Sequence, residues 1–464
     1  MLKQLIKSSP GFIEKPARYI YTSLPDYIRY GKNFRSQYKF LNKSQWWTSQ
    51  QHEEYQFIQL KKLLEHSYKN VPYYTNIFTE RGIKPENIKS FKDLKKLPYL
   101  TKELVRNNLK DLVAKNYNIK KLKIVTTSGT SRIPMDFYIE PIIDKAREWS
   151  FIVNLWNRIG YDPKKINNNV ILRGIIPKNG LYEYKGKDLI LSSFQMTEEN
   201  MKNYVELIKG FNPDFIQAYP SSIHLLSKYI LRNKLVGNFH KLKCILCSSE
   251  NLFDNQRLDI EQAFRVRVYN FYGHSEHACL GGECELSNYF HIQSEYGYTE
   301  IINEDGQDVK EEGEIGEIVA TGFNNFAMPF IRYKTEDLVV NSNEKCNCGR
   351  NYKLIIKVEG RKQEFLIDMF GRAITATWAG FPLRQIEKKI NSFQYIQNEP
   401  GTLLLNIKSF EEITDEDIKN IKKVFDLHYK GFELQIKSVE NIERIRGGKF
   451  KFLVQNIDVN TNES

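Results

Sequence analysis

The run Thr126-Thr127-Ser128-Gly129-Thr130-Ser131-Arg132-Ile133-Pro134 sets hydroxyls on both sides of a glycine, directly after the β-rich stretch LKIVT. Such a loop offers backbone N–H and Oγ donors to polyphosphate oxygens, and glycine lets the backbone come close to them. Ser/Thr/Gly clusters are also ordinary loops, so Ser128, Gly129, Thr130 and Ser131 become a phosphate cradle only in company. Tyr269-Asn270-Phe271-Tyr272-Gly273-His274-Ser275-Glu276 follows a second β-like run and ends in an acid able to hold Mg²⁺ on a nucleotide. One acid is enough, because magnesium keeps several waters and takes phosphate oxygens for its remaining positions. In Met328-Pro329-Phe330-Ile331-Arg332-Tyr333-Lys334-Thr335-Glu336-Asp337 an acid after a strand is suited to accept both ribose hydroxyls. Gly360-Arg361-Lys362-Gln363-Glu364-Phe365 is a glycine-led, charged junction where the local pattern changes. Each segment alone has a bland reading; their order and spacing carry the weight.

The elements that position these segments can be read from periodicity. Residues 51–78 place apolar side chains at helical spacing, ending in a turn at Val-Pro-Tyr-Tyr. KSFKDLKKLPYLTKELVRNNL reads as two short helical pieces broken at Leu-Pro, with Thr101 as N-cap of the second. The middle of the chain alternates β-rich runs (NNVILRG, DFIQAYP, CILCSSE) with helical ones (ENMKNYVELIKG, SSIHLLSKYILRN), the signature of an α/β layer with parallel strands. Ligands gather at the strand ends of such a sheet. From Tyr296 to Val340 the pattern turns to β, with Gly, Asn and Asp at the turns. After Gly360, strands (TLLLNIK, FELQIKSV) and helices (FPLRQIEKKI, DEDIKNIKKVFDLHY) suffice for a small α+β unit.

The expected organisation is a basic N-terminal arm (1–50), a large α/β domain with a β-rich subdomain (51–360) and a small α+β C-terminal domain (361–464). The chain has 464 residues, of which 41% are hydrophobic and 27% charged, which excludes a disordered or collagen-like protein. The net charge of +12 admits phosphorylated ligands, anionic membranes or nucleic acid. No zinc-finger spacing, basic zipper or RNA-recognition signature is present, so nucleic acid is not expected. Lys3, Lys7, Arg18, Arg29, Lys32, Arg35, Lys39 and Lys43, interleaved with Phe, Tyr and Leu, read as an arm packing on its own domain. The alternative is peripheral contact with an acidic membrane face. No stretch reaches the roughly 20 apolar residues of a membrane span, and no signal-peptide pattern opens the chain. Six clustered cysteines are too few for a disulfide framework at this length, so a reducing, cytoplasmic setting is expected.

The succession TSGTS, SSE, YGHSE, GEIGEIVATG, MPFIRYKTED, GR with a following acid, and a C-terminal GGK resembles the adenylate-forming ligase superfamily. More closely it resembles the phenylacetate-CoA ligase family and its capsular-polysaccharide branch, from about Tyr55 to Phe452. The resemblance implies that Ser128, Gly129, Thr130 and Ser131 embrace the ATP phosphates. It further implies that Ser249, Glu250, Tyr272 and Gly273 flank the adenine, that Glu276 binds Mg²⁺ and that Asp337 takes the ribose hydroxyls. Arg361 would lie near the phosphate or ribose, and Lys449 would bridge carboxylate and α-phosphate during adenylation. Two departures stand out: the usual second Gly and following Lys of the phosphate loop are Arg132 and Ile133, and Thr-Gly-Asp reads Thr335-Glu336-Asp337. Arg132 is suited to replace the missing cation. The family also implies a rotation of the C-terminal domain between half-reactions, with a hinge near Gln363 and Glu364. The expected reaction is formation of an acyl-AMP from a carboxylate and Mg-ATP, then transfer to an acceptor: coenzyme A first, an aminosugar amine or a carrier next. The expected setting is capsule or surface-polysaccharide synthesis at the cytoplasmic side. The competing class is a non-catalytic relative serving as a binding partner in glycan assembly.

Cys346-Asn347-Cys348-Gly349 is a tight two-thiol turn, and zinc needs two further ligands. Of Cys279, Cys284 and His291, the last two fit best, flanking an expected hairpin turn. The reading stays divided between structural Zn²⁺ on Cys284, His291, Cys346 and Cys348 and four free groups near a loop. Cys244 and Cys247 read as buried apolar thiols. His66, His224 and His428 sit on helical patterns, while His274 and His277 face the acyl pocket or support it. The loop Ala218–Ser222, with Trp149, Phe151 and Trp156, reads as a pocket wall or, preferably for the aromatics, as core.

Overall fold

Thr126 and Asp136 close the neck of a hairpin whose loop carries the Ser/Thr/Gly run, and that hairpin stands apart from the main sheet. It pairs β1 (Lys123–Thr126) with β2 (Asp136–Ile139). The computed structural model describes residues 11–127, 135–141, 143–175, 177, 180–194, 196–237, 239–361, 365–371, 373–375, 381–442 and 452–457. Ser128, Gly129, Thr130, Ser131, Arg132, the hinge positions Gln363 and Glu364, and Lys449 lie outside the described residues.

Short apolar runs alternating with amphipathic helices can bury both faces of each strand only in a parallel, helix-covered sheet. The chain does this with β3 (Asn169–Arg173), β5 (Asp188–Ser192), β6 (Phe215–Ala218), β7 (Cys244–Ser248) and β8 (Arg267–Gly273), which run parallel in the order β5-β3-β6-β7-β8; β4 (Tyr182–Lys185) closes one edge antiparallel. Beyond β8 the same sheet turns antiparallel through β9 (Leu280–Gly282), β10 (Phe290–Ile292), β11 (Gly297–Ile302), β12 (Ile315–Gly322), β13 (Tyr333–Ser342) and β14 (Lys353–Arg361). The twelve strands lie in the order β11-β12-β13-β14-β10-β9-β8-β7-β6-β3-β5-β4. After a two-stranded ribbon, β15 (Phe365–Ile367) with β16 (Ala373–Thr375), a separate sheet takes β17 (Ile390–Glu399), β18 (Thr402–Ser409), β19 (Glu433–Ser438) and β20 (Leu453–Gln455) in the order β19-β18-β17-β20. The helix Asp415–His428 covers it, capped by Thr414 and Asp417 in a reciprocal capping box.

Two elements depart from expectation. Val-Pro does not open a turn: Pro72 stands at the first position of a second helix, Pro72–Glu80, where its fixed φ and missing N–H cost nothing. FPLRQIEKKI forms a 3₁₀ stretch, Phe381–Lys389, that breaks at Ile386.

The N-terminal segment packs on its own domain through the helix Gly31–Ser44, whose Phe34, Tyr38 and Leu41 join Phe151, Val153, Leu155, Trp156 and Tyr161 in one core. Asp26 is buried there and accepts from Tyr161 Oη (2.7 Å), Trp149 Nε1 (3.1 Å) and Lys187 Nζ (3.3 Å). The aromatics of residues 149–156 are therefore core and not a pocket wall. Phe151→Ala should destabilise the protein by about 3–5 kcal/mol, the usual cost of a large cavity, read as a lowered urea midpoint with an unchanged m-value. No helix among the described residues is long and apolar enough to cross a membrane.

Candidate active site and metal centre

The period of a strand decides which side chains of the segment after Met328 meet. Tyr333, Thr335 and Asp337 share one face of β13 and are buried, while Lys334 and Glu336 point the other way. That inward face meets the end of β8. Tyr333 Oη donates to Glu276 Oε1 at 2.7 Å, and Tyr272 Oη donates to Asp337 Oδ2 at 2.6 Å. The His274 ring stands between the two tyrosines, its centroid 6.1 Å from Tyr272 and 6.3 Å from Tyr333. Its Nδ1 lies 3.3 Å from Glu276 Oε2, a polar contact without the alignment of a hydrogen bond. The two acids picked out of separate motifs are thus held by crossed tyrosine bonds around one histidine.

Burial opposes the ionisation of Glu276, but His274 and the Tyr333 hydroxyl outweigh it and hold the carboxyl at about 2. It is an ionised acid throughout the neutral range. One such carboxylate satisfies the protein's share of a magnesium shell completed by water and phosphate oxygens, so the donor set fits Mg²⁺.

Glycine makes room for the segment that follows Glu276. Gly297 and Gly322 face each other across β11 and β12. A Cβ on Gly322 would stand 2.9 Å from both Ala278 Cα and His277 O, and one on Gly297 would stand 2.4 Å from Ala278 O. His277, at φ +56, bonds through Nδ1 to Glu148 (2.9 Å) and Tyr296 Oη (3.1 Å). It thereby ties the site to the first turn of the helix Glu148–Asn157.

A glycine, which the resemblance leads one to expect where Glu336 stands, would have freedom here: Glu336 sits at φ +65. A non-glycine residue in that region costs on the order of 1–3 kcal/mol. Opposing that strain, Glu336 Oε2 takes Lys102 Nζ at 2.6 Å and its backbone N–H bonds Glu317 at 3.1 Å. Asp337 keeps its own place, its N–H on Thr335 Oγ1 at 3.1 Å. The departure from Thr-Gly-Asp is accommodated locally and leaves the acid buried on Tyr272.

The other sequence candidates fall around the strand ends. Ser249, at φ +72, follows β7, and Glu250 accepts the backbone N–H of Ser221 at 3.0 Å, capping the helix Pro220–Arg232. Arg173, ending β3, donates to Ser248 Oγ at 2.7 Å and lies over the Tyr219 ring at 5.3 Å. Arg361 is the backbone partner of Asp337 in the β13–β14 ladder. The β1–β2 hairpin has its neck beside this cluster: Thr127 N–H bonds Met135 O, Phe137 packs on Phe330 at 5.8 Å, and Phe330 packs on Tyr333 at 4.9 Å. Sequence reasoning gave Tyr333 no role; its two-residue spacing from Thr335 and four-residue spacing from Asp337 was the available signal.

A second cluster gathers Cys284, His291, Cys346 and Cys348, whose ligand atoms all lie within 4.8 Å of one another. Cys284 Sγ is 3.6 Å from Cys346 Sγ, and Cys348 Sγ is 3.3 Å from His291 Nε2. A tetrahedral zinc with bonds near 2.3 Å to sulfur separates its sulfurs by about 3.7 Å, so the set fits the ion. His291 Nδ1 meets Tyr289 O at 3.1 Å, which leaves Nε2 as the ligand nitrogen. Cys244 and Cys247 are buried in β7, burial pushing the Cys247 thiol up to about 12; both are structural. His224 meets Asp259 at 2.8 Å and His66 meets Phe326 O at 2.8 Å, neither near the acids; the His428 side chain lies outside the described residues.

Residues 367–456 match the family described as the CapK C-terminal domain. Protein CapK of Staphylococcus aureus is 26% identical over 402 residues, covering 84% of this chain and 86% of that one. The phenylacetate-coenzyme A ligase of Thermus thermophilus is 25% identical, covering 74% and 78%. The fold matches that of 2-hydroxyisobutyryl-CoA ligase in its postadenylation state with an acyl-AMP, at a TM-score of 0.69 and 16% identity over 88% of this chain and 90% of that one. The chain thus has the fold of the adenylate-forming ligases, and it is similar in sequence to CapK along most of its length and to phenylacetate-coenzyme A ligases along about three quarters of it.

Proposed function

We propose that the chain activates a carboxylic acid with Mg-ATP and passes the acyl group to coenzyme A, in capsule or surface-polysaccharide synthesis at the cytoplasmic side. The supporting observation is the crossed pair Tyr333–Glu276 and Tyr272–Asp337, which joins acids from two distant motifs at the strand ends. A carboxylate oxygen attacks the α-phosphorus, the C–O–P bond forms, the bond to the β-phosphate oxygen breaks, and pyrophosphate leaves. Magnesium, when bound, offsets the repulsion between the acid and the triphosphate. Glu276 is placed to hold that charge, and Asp337 to take the ribose hydroxyls. Arg361 lies close by along the chain register, with Ser249, Glu250, Tyr272 and Gly273 lining the adenine side. Ser128, Gly129, Thr130, Ser131 and Arg132 receive the phosphates. Lys449 brings the second positive charge, arriving with the residue 361–464 domain, which turns about a hinge near 363–364. An aminosugar amine is the second acceptor in line. The basic N-terminal segment, which exposes Tyr19, Ile20 and Ile28, is the part of the chain suited to touch an acidic membrane face.

ATP–pyrophosphate exchange across a panel of carboxylic acids tests this reading. Exchange with at least one acid is expected. Its absence with every acid, together with no thermal shift by Mg-ATP, would instead identify a binding partner that keeps the fold without the chemistry.

Zn²⁺ on Cys284, His291, Cys346 and Cys348 is the second part of the proposal. It supplies a structural cross-link, with no vacant position for substrate. Purified protein is expected to carry about one equivalent of zinc and Cys346→Ser to lose it; less than about half an equivalent in the wild type would overturn the assignment.

A further inference from the structure

Arg173 ends β3, half-buried at the carboxyl edge of the parallel sheet, the edge at which such sheets take ligands. The register names its neighbours there. Leu172 stands beside Ala218 and Ala218 beside Cys247, so the next residues, Arg173, Tyr219 and Ser248, form a row. The Arg173 guanidinium lies over the Tyr219 ring, 5.3 Å from its centre, and donates through Nη2 to Ser248 Oγ at 2.7 Å. No other hydrogen bond and no ion pair reaches it from the described residues, and its Nε is buried without a partner. Glu250 favours the charge electrostatically but is already on the Ser221 N–H at 3.0 Å. A partly buried guanidinium matched only by one neutral hydroxyl and a ring face calls for an anion.

Strand order sets this charge apart from the nucleotide groups. β13, with Asp337, lies on one side of β8, as does the β1–β2 hairpin that packs through Phe137 on Phe330; β7, β6 and β3 lie on the other. With neighbouring strands about 4.8 Å apart, β3 is about 14 Å from β8. The Arg173 side chain shortens that gap by crossing β6 to Ser248, whose ladder partner Phe271 is on β8. What remains is about one strand spacing, the span of a short carbon chain.

We propose that Arg173 binds a second carboxylate on the acid, so that the substrate is a short dicarboxylic acid activated at the end nearer Glu276. The proposal rests on the adenylation reading above and narrows its substrate class. Nη1 and Nε are the donors left to receive the distal carboxylate, with Ser248 fixing the fork and Tyr219 covering its face.

ATP–pyrophosphate exchange with malonate, succinate, glutarate and adipate, each against the monocarboxylate and the ω-hydroxy acid of the same length, tests the proposal. At least one dicarboxylate should exceed both counterparts in kcat/KM by about 30-fold or more, the usual effect of leaving a buried charge without its partner. Arg173→Met should remove that advantage through KM rather than kcat, and Arg173→Lys should restore part of it. Mg-ATP should still raise the melting temperature of Arg173→Met, which separates a lost acid contact from a lost fold. Wild-type protein that handles dicarboxylates no better than their counterparts, or an unchanged dicarboxylate KM in Arg173→Met, would overturn the inference while leaving adenylation standing. A thermal shift by Mg-ATP without exchange from any dicarboxylate would do the same. Absence of both exchange and thermal shift would overturn the adenylation reading and the inference with it.

Discussion

Glu276→Ala is expected to lower ATP–pyrophosphate exchange by about 10²–10³-fold, equivalent to about 3–4 kcal/mol of transition-state stabilisation. The carboxylate is buried and fixed on both oxygens, by Tyr333 at 2.7 Å and His274 at 3.3 Å, so it cannot be replaced by a mobile surface acid. Asp337, the other acid of the cluster, is committed to Tyr272. Glu276→Gln keeps the size and an acceptor for Tyr333 but removes the charge, and should lose nearly as much. A variant that retained its urea midpoint yet lost exchange would assign the loss to chemistry; full exchange in Glu276→Gln would remove Glu276 from the account.

Lys449→Ala should cost a similar factor of about 10²–10³ in exchange through a different defect. The lysine is expected only while carboxylate and α-phosphate oxygens approach each other, so its removal should spare ATP binding. Mg-ATP should still raise the melting temperature of the variant, and acyl transfer from a synthetic acyl-adenylate should continue. Loss of both half-reactions together would place Lys449 among structural residues instead.

Much of this organisation was legible because it rests on short-range rules. The parallel strands β3, β6 and β7 announce themselves as apolar runs between amphipathic helices, and Thr101 caps the helix Lys102–Asn107 as its type suggests. The four proposed zinc ligands were separable from Cys244, Cys247 and Cys279 by spacing and an expected hairpin turn, and the structure brings those four together. Other features depend on long-range packing. β17, rich in Asn and Gln, carries no strong strand pattern, and its pairing with β18 and β20 supplies the order. Pro72 could equally end one helix or begin another, and the choice follows from tertiary burial of Tyr74 and Phe78. The tyrosine–acid pairs were hidden for the same reason: each joins residues more than fifty positions apart.

The departures from the family pattern bear on function through what surrounds them. Glu336 in a glycine's conformation is held by Lys102 and Glu317 without displacing Asp337.

The central claim is that an oxygen of the acid attacks the α-phosphorus of ATP. Turnover with an acid labelled in both carboxylate oxygens by ¹⁸O and with an acyl acceptor present measures this directly, by mass spectrometry of the nucleotide product. The account predicts one ¹⁸O in AMP for every acyl group transferred and none in pyrophosphate. Label appearing in inorganic phosphate alongside ADP, or AMP formed without label, would contradict it.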